Sequence, residues 1–138
     1  MTQKVRIALV GTGAFGIKHL DGLKNIANAE VTYIVGSSRD KAQVIVEQYG
    51  VAHATGSLDE ALASDQVDAV ILCTPTQMHA SQTLACLQAG KHVQVEIPLA
   101  DALGDAEAVL AAQQASGLVA MVGHTRRFNP SHQYLHNK

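Results

Sequence analysis

Gly11, Gly13 and Gly16 stand at the spacing G-x-G-x-x-G, with Thr12, Ala14 and Phe15 between and after the first two. Between a strand and a helix, that spacing serves anion binding. The first glycine allows a tight turn, the second lets backbone amides approach a pyrophosphate, and the third lets helix and strand pack closely. The helix then turns its free amides and the positive end of its dipole toward the anion. The ligand that such a loop holds is a dinucleotide. About 20 residues further on, an NAD site usually places Asp or Glu to accept hydrogen bonds from the ribose 2′-hydroxyl. Here that segment reads Gly36-Ser37-Ser38-Arg39. It has no carboxylate to repel a 2′-phosphate, and its two hydroxyls and guanidinium suit one. The segment points to NADP. NAD is the alternative if Ser38 and Arg39 only open the next helix.

Three other short segments carry side chains capable of chemistry: Cys73-Thr74-Pro75-Thr76-Gln77-Met78-His79, Glu96-Ile97-Pro98, and Gly123-His124-Thr125-Arg126-Arg127. Glu96 is a candidate acid or base, or else a carboxylate satisfied by structure. Arg126 and Arg127, with His124 beside them, offer guanidinium forks to a small anionic substrate; the bland alternative is a solvated pair. His79 stands near a helix start, where an imidazole often satisfies a local hydrogen bond. His132 and His136 have the i, i+4 spacing of a metal pair, but no third ligand is placed to complete a site, so no metal is expected. His19 and His53 read as surface or packing residues. Cys73 and Cys86 fit no C-x-x-C spacing; with one on a strand and the other on the following helix, they read as free buried thiols.

These residues need a frame that brings their segments to one edge. Strand-like and helix-like runs alternate along the chain, the pattern of βαβ units and a mostly parallel sheet. Strands are expected at 5–10, 31–35, 52–54, 68–73, 92–96 and 118–122. Helices are expected at 14–26, 40–48 with Gly50 as the stop, 57–64 opened by the capping box Ser57-x-x-Glu60, 76–89 capped by Thr76 and stopped by Gly90, and an amphipathic 101–116. A further helix begins before Lys138. The composition agrees: 47% hydrophobic and only 4% aromatic residues imply a core of Ala, Val, Leu and Ile. The expected fold is α/β, a doubly wound Rossmann sheet in the order 3-2-1-4-5-6 with helices on both faces. In such sheets ligands bind beyond the carboxyl ends of the strands, where strand order reverses, and all four segments fall there.

Several function classes are disfavoured. A net charge of −2, with no block of Lys or Arg, argues against nucleic acid as a partner. No apolar run approaches the ~20 residues of a membrane span, and Met1 to Lys4 lead into the first strand without a secretory leader, so a cytoplasmic protein is expected.

Taken together, Gly11-x-Gly13-x-x-Gly16, Thr74-Pro75-Thr76-x-x-x-His79, Ala89-Gly90-Lys91-His92-Val93-x-x-Glu96-x-Pro98 and Arg126-Arg127-Phe128-Asn129-Pro130 resemble the N-terminal domain of the glucose-fructose oxidoreductase, inositol dehydrogenase and rhizopine-catabolism (Gfo/Idh/MocA) family, over essentially the whole chain. The resemblance implies a dehydrogenase. It implies that Thr74, Pro75 and His79 line the nicotinamide ribose and ring region, with Cys73 beside them a further cofactor-binding candidate, that Glu96 and Pro98 flank the nicotinamide, and that Arg126 lies near the cofactor or a domain junction. It also implies a cis bond before Pro98. A second α+β domain carrying a catalytic histidine would follow, with a homo-oligomer in the longer protein. Residues 1–123 would then be the dinucleotide-binding domain and 124–138 the linker and start of the next, so little turnover is expected of 138 residues alone. One departure matters: the family's Glu-Lys-Pro triad reads Glu96-Ile97-Pro98, so no ammonium can act at position 97. An NADP-dependent oxidation of an anionic substrate, a sugar or cyclitol dehydrogenation, and a non-catalytic nucleotide-binding module are the competing functions.

Overall fold

The computed structural model describes residues 4–138; Met1–Gln3, on which the expectation of a leaderless start partly falls, lie outside it. The strands are β1 (Val5–Val10), β2 (Ala29–Val35), β3 (His53–Thr55), β4 (Ala69–Leu72), β5 (His92–Glu96) and β6 (Ala120–Gly123). The helices are α1 (Ala14–Leu23), α2 (Arg39–Tyr49), α3 (Leu58–Ala63), α4 (His79–Gln88), α5 (Leu103–Ser116) and α6 (Pro130–His136). All strand pairs are parallel, in the order β3-β2-β1-β4-β5-β6. This is the doubly wound order expected from the sequence.

The period-2 alternation of a strand divides β1 between two cores. Ile7 and Leu9 pack with Leu20 of α1, Ile34 of β2, and Ala42 and Val46 of α2. Ala8 and Val10 face the other way, onto Ala61 and Leu62 of α3, Cys86 and Leu87 of α4, and Val93 and Val95 of β5. Helices therefore cover both faces, and fully burying a side chain such as Leu9 contributes about 2 kcal/mol. Strand order reverses at β1, which lies between β2 and β4. Among the described residues no helix is long and apolar enough to cross a membrane.

Some local expectations change. The first helix ends at Leu23, three residues before Ile26, because Asn25 and Ile26 donate to Gly22 and Leu23 in tighter i to i−3 bonds. Thr76 does not cap α4: it opens a 3₁₀ turn (Thr76–Met78) without a side-chain cap, and the helix begins at His79. The capping box is half made. Ser57 Oγ accepts from Glu60 N, but the Glu60 carboxylate takes the Thr55 hydroxyl at 2.6 Å, and Ser57 N donates to Thr55 Oγ1 instead. The fifth helix starts at Leu103 and is less amphipathic than expected: Val109 is its one buried residue, while Leu103 and Leu110 face solvent. Leu118 falls outside β6 because Gln113 and Ser116 side chains hold its backbone in the turn after Gly117. Gly50, Gly90 and Gly117 take the left-handed conformation that makes them stops.

Candidate functional site

The glycine loop is built as the spacing requires. Gly11 has φ +103°, and a Cβ there would lie 2.4 Å from the Cys73 carbonyl oxygen, so the ends of β1 and β4 meet only because position 11 is glycine. A Cβ on Gly16 would lie 2.0 Å from the Gly11 carbonyl oxygen, which presses α1 against the loop. Gly13 differs: a Cβ there would meet nothing within 4 Å. The loop is open at its midpoint, where α1 begins with no side-chain cap and no acidic residue in its first turn. The first-turn amides have no intrahelical acceptor. An uncapped helix start behind an open glycine fits a dinucleotide's pyrophosphate.

Gly11 to Phe15, Ser37, Gly56, Leu58, Cys73, Thr74, Pro75, Met78 and Gln82 line one cleft of about 830 Å³. At its mouth the start of α2 is tight, since a Cβ on Gly36 would meet Ser38 O at 2.8 Å and one on Gly56 would meet Arg39 N at 3.1 Å. Ser38 Oγ is engaged, accepting from Lys41 N as the α2 cap. Ser37 and Arg39 are exposed at that helix start. Thr74 donates its hydroxyl to Gln82 Oε1 at 2.5 Å, which fixes the loop after β4 to α4.

His79 lies beneath this cleft rather than in its lining. It is 2% exposed, with Nδ1 2.7 Å from Pro98 O and Nε2 2.7 Å from Thr74 O. It ties the loop after β4 to the loop after β5. The Ile97–Pro98 bond is cis, and Ile97 is exposed.

Glu96 is buried at the end of β5, with Oε1 2.6 Å from His19 Nε2 of α1. Gly123 on neighbouring β6 makes room for it, since a Cβ there would stand 3.3 Å from Oε1. His19 is therefore neither a surface nor a simple packing residue, which corrects the sequence reading. The available signal was its place three residues after Gly16, on the helix face turned to the sheet. His53 does pack, stacked on Tyr33 at 4.5 Å. Both cysteines are free. Burial, with the charge of Glu96 second, pushes the Cys73 thiol up to about 12, and burial pushes Cys86 up to about 12. Neither is a thiolate nucleophile at neutral pH.

Arg126 and Arg127 stand apart from the dinucleotide cleft. They line a second cavity of about 640 Å³ with His132, Gln133, His136 and Asn137, while His124 is exposed nearby and not in that lining. From residue 108 to the end the chain contains no Asp or Glu, so this corner is cationic although the whole chain is acidic.

Residues 5–124 match the Gfo/Idh/MocA family, described as an oxidoreductase family with an NAD-binding Rossmann fold. Among curated proteins, a 4-carboxy-2-hydroxymuconate-6-semialdehyde dehydrogenase of a Sphingobium species is 64% identical over 134 residues, covering 97% of this chain and 42% of that protein. An inositol 2-dehydrogenase of Rhodococcus erythropolis is 37% identical over 138 residues, covering 99% of this chain and 39% of its own length. The chain thus spans about two fifths of these relatives. Among solved structures, a 3-ketoreductase from Actinomadura kijaniata in complex with TDP-benzene and NADP superposes with a TM-score of 0.91 at 28% identity, covering 98% of this chain and 43% of that one. GenD2 of gentamicin A biosynthesis, in complex with NAD, superposes at 0.88 and 29% identity, covering 94% and 37%.

Proposed function

The chain belongs to the Gfo/Idh/MocA oxidoreductase family, and from that premise we propose that it binds NADP for a dehydrogenase of aromatic catabolism. The reaction is oxidation of the cyclic hemiacetal of 4-carboxy-2-hydroxymuconate-6-semialdehyde to the lactone 2-pyrone-4,6-dicarboxylate, in protocatechuate 4,5-cleavage. The observation that carries this reading is 64% identity, over nearly the whole chain, to a dehydrogenase named for that semialdehyde, against 37% to an inositol 2-dehydrogenase. Because the chain spans 42% of that relative, turnover is assigned to a longer cytoplasmic, homo-oligomeric protein. In it residues 1–123 hold the nucleotide and 124–138 lead into the substrate-binding part.

The residues divide the work. The Gly11–Gly16 loop holds the pyrophosphate with the α1 amides, and Ser37 and Arg39 hold the 2′-phosphate beside the α2 cap made by Ser38. Cys73, Thr74, Pro75 and Pro98 wall the nicotinamide end, with His79 holding their loops in place. Bound NADP supplies a hydride acceptor. Turning a hemiacetal into a lactone also releases a hydroxyl proton, and Glu96, oriented by His19, is the group on this chain suited to take it. Ile97 contributes no charge. Arg126, Arg127 and His124 meet the carboxylates of the substrate, as guanidinium forks suit planar anions.

Titration of the chain with NADPH and NADH, followed by cofactor fluorescence, tests the nucleotide. Arg39→Glu is expected to weaken NADPH binding roughly 10- to 100-fold, the worth of a charged hydrogen bond set, and to spare NADH. Equal or tighter NADPH binding by the variant sinks the NADP assignment. Turnover of the semialdehyde and of myo-inositol by the longer protein tests the substrate. A second reading, a cyclitol dehydrogenase, is favoured by the inositol 2-dehydrogenase relatives and wins if inositol is the better substrate. NADPH binding without turnover of either leaves a nucleotide-binding module.

A further inference from the structure

His19, Cys73 and Glu96 come from three separate elements: the middle of α1, the position after β4 and the end of β5. Their Nε2, Sγ and carboxylate oxygen all lie within 4.8 Å of one another. We propose that this cluster is a Zn²⁺ site, formed by one nitrogen, one sulfur and one oxygen donor, and reaching the dinucleotide cleft through Cys73. This inference rests on no assignment of substrate.

Ligand distances around zinc are about 2.0–2.1 Å for imidazole nitrogen, about 2.3 Å for thiolate sulfur and about 2.0–2.2 Å for carboxylate oxygen. In tetrahedral geometry these place the donor atoms about 3.4–3.6 Å apart. The His19–Glu96 pair, now at 2.6 Å, opens by roughly 1 Å to admit the ion, and Cys73 Sγ closes by at most about 1.4 Å. The ion takes the place of the His19–Glu96 hydrogen bond, and the Cys73 thiol releases its proton as the Zn–S bond forms.

Charge and donor type favour the same ion. A thiolate and a carboxylate together neutralise Zn²⁺, which suits a cluster whose members are buried or half-buried. A mixed N, S, O set selects zinc over Mg²⁺ or Ca²⁺, which prefer all-oxygen shells. Three protein ligands leave a fourth position open, and one of the three, Cys73, also lines the dinucleotide cleft. An ion held there ties up Glu96 and inhibits any proton transfer that carboxylate serves.

Co²⁺ titration of the purified chain under reducing conditions tests the site by absorption. One equivalent is expected to give a thiolate-to-cobalt charge-transfer band in the near ultraviolet, with ligand-field bands of tetrahedral intensity in the visible. Zn²⁺ is expected to bleach both. Cys73→Ser removes the charge-transfer band, and His19→Gln weakens binding by roughly 100-fold. A chain with Cys86→Ala and another with both His132→Gln and His136→Gln retain the full spectrum. Far-ultraviolet circular dichroism verifies folding of each variant. If Cys73→Ser fails to fold, Glu96→Gln and His19→Gln decide through the loss of affinity. Absence of a charge-transfer band in the unaltered chain, or its survival in Cys73→Ser or at full affinity in His19→Gln, overturns the proposal.

Discussion

The two edges of the sheet differ in the polar groups they leave free, although Glu96 is paired with His19 at one edge as Asp68 is with Arg6 at the other. At the amino-terminal edge the charges are satisfied within the protein. Arg6 grips Asp68 through Nε at 2.9 Å and a terminal guanidinium nitrogen at 2.7 Å, with its own backbone N–H a third donor at 2.8 Å. Lys91 Nζ donates to Ser64 O and Val67 O, and Thr32 to Gln66 O. At the carboxyl-terminal edge, among the described residues, the first turn of α1 has no side-chain cap, and Arg39, Arg126 and Arg127 are exposed without an ion pair. An N-cap side chain on α1 would add only about a few tenths of a kcal/mol over the glycine that stands there, so leaving the amides uncapped costs the fold little. Saturation at one edge holds the fold. Openness at the other leaves donors for an anion, where doubly wound sheets bind their ligands.

The sharpest way to break this contrast lies inside the glycine loop. Gly16→Ala places a methyl 2.0 Å from a backbone oxygen that cannot retreat without moving the loop, so a loss of about 3 kcal/mol is expected. At roughly 3–5 °C per kcal/mol for a domain of this size, the melting temperature falls by about 10 °C or more. Gly13→Ala, three residues earlier, enters open space. It is expected to change stability by less than about 1 kcal/mol and yet to weaken NADPH binding, because the methyl occupies the approach to the amides. Calorimetry and NADPH titration on both variants separate the roles. If Gly13→Ala binds NADPH unchanged, position 13 is not the contact point.

A smaller effect is expected at His79, the strut under the open edge. His79→Leu keeps apolar bulk but leaves Pro98 O and Thr74 O without their donor, at a cost of about 2 kcal/mol. NADPH affinity should fall with it, since the loop after β4, Cys73 to Pro75, lines the cleft. Thermal unfolding that matches the unaltered chain would make the two contacts incidental.

Legibility from sequence followed the same division between local and tertiary information. Strand order, both helix layers and the glycine loop rest on periodicity and on backbone requirements that residue types announce: Gly50, Gly90 and Gly117 stop helices because their left-handed φ favours glycine. The ends of the elements were set by partners no local pattern contains, as when Gln113 and Ser116 hold Leu118 out of β6. In the candidate site, Gly11 to Phe15, Ser37 and Cys73 to Pro75 come together in one cleft, as their places after the strands suggested. His79 was expected in that lining and proved to be its support. His19 was passed over because its partner Glu96 is 77 residues away in the chain. A side chain's role depends on where neighbouring strands end, and only the assembled sheet fixes that.

The smallest expected effect tests the saturated edge by itself. The Arg6 guanidinium, ahead of its backbone N–H, holds the Asp68 carboxyl at about 2, below its ordinary value of 3.8. A depressed folded-state value means that the pair contributes fully above the unfolded value near 4, and that the contribution is lost as pH falls toward 2. Both side chains are about one-third exposed, at 33% and 35%, so solvent screening reduces the contribution to about 1 kcal/mol. Asp68→Asn preserves shape and removes the charge. Urea unfolding should show the variant less stable by about 1 kcal/mol at pH 7, with the gap narrowing as pH is lowered from 5 to 3. NADPH affinity should not change, because the pair lies at the far edge from the glycine loop. A gap that ignores pH would assign the loss to packing rather than charge, and a loss of NADPH affinity would show that the two edges are coupled rather than independent.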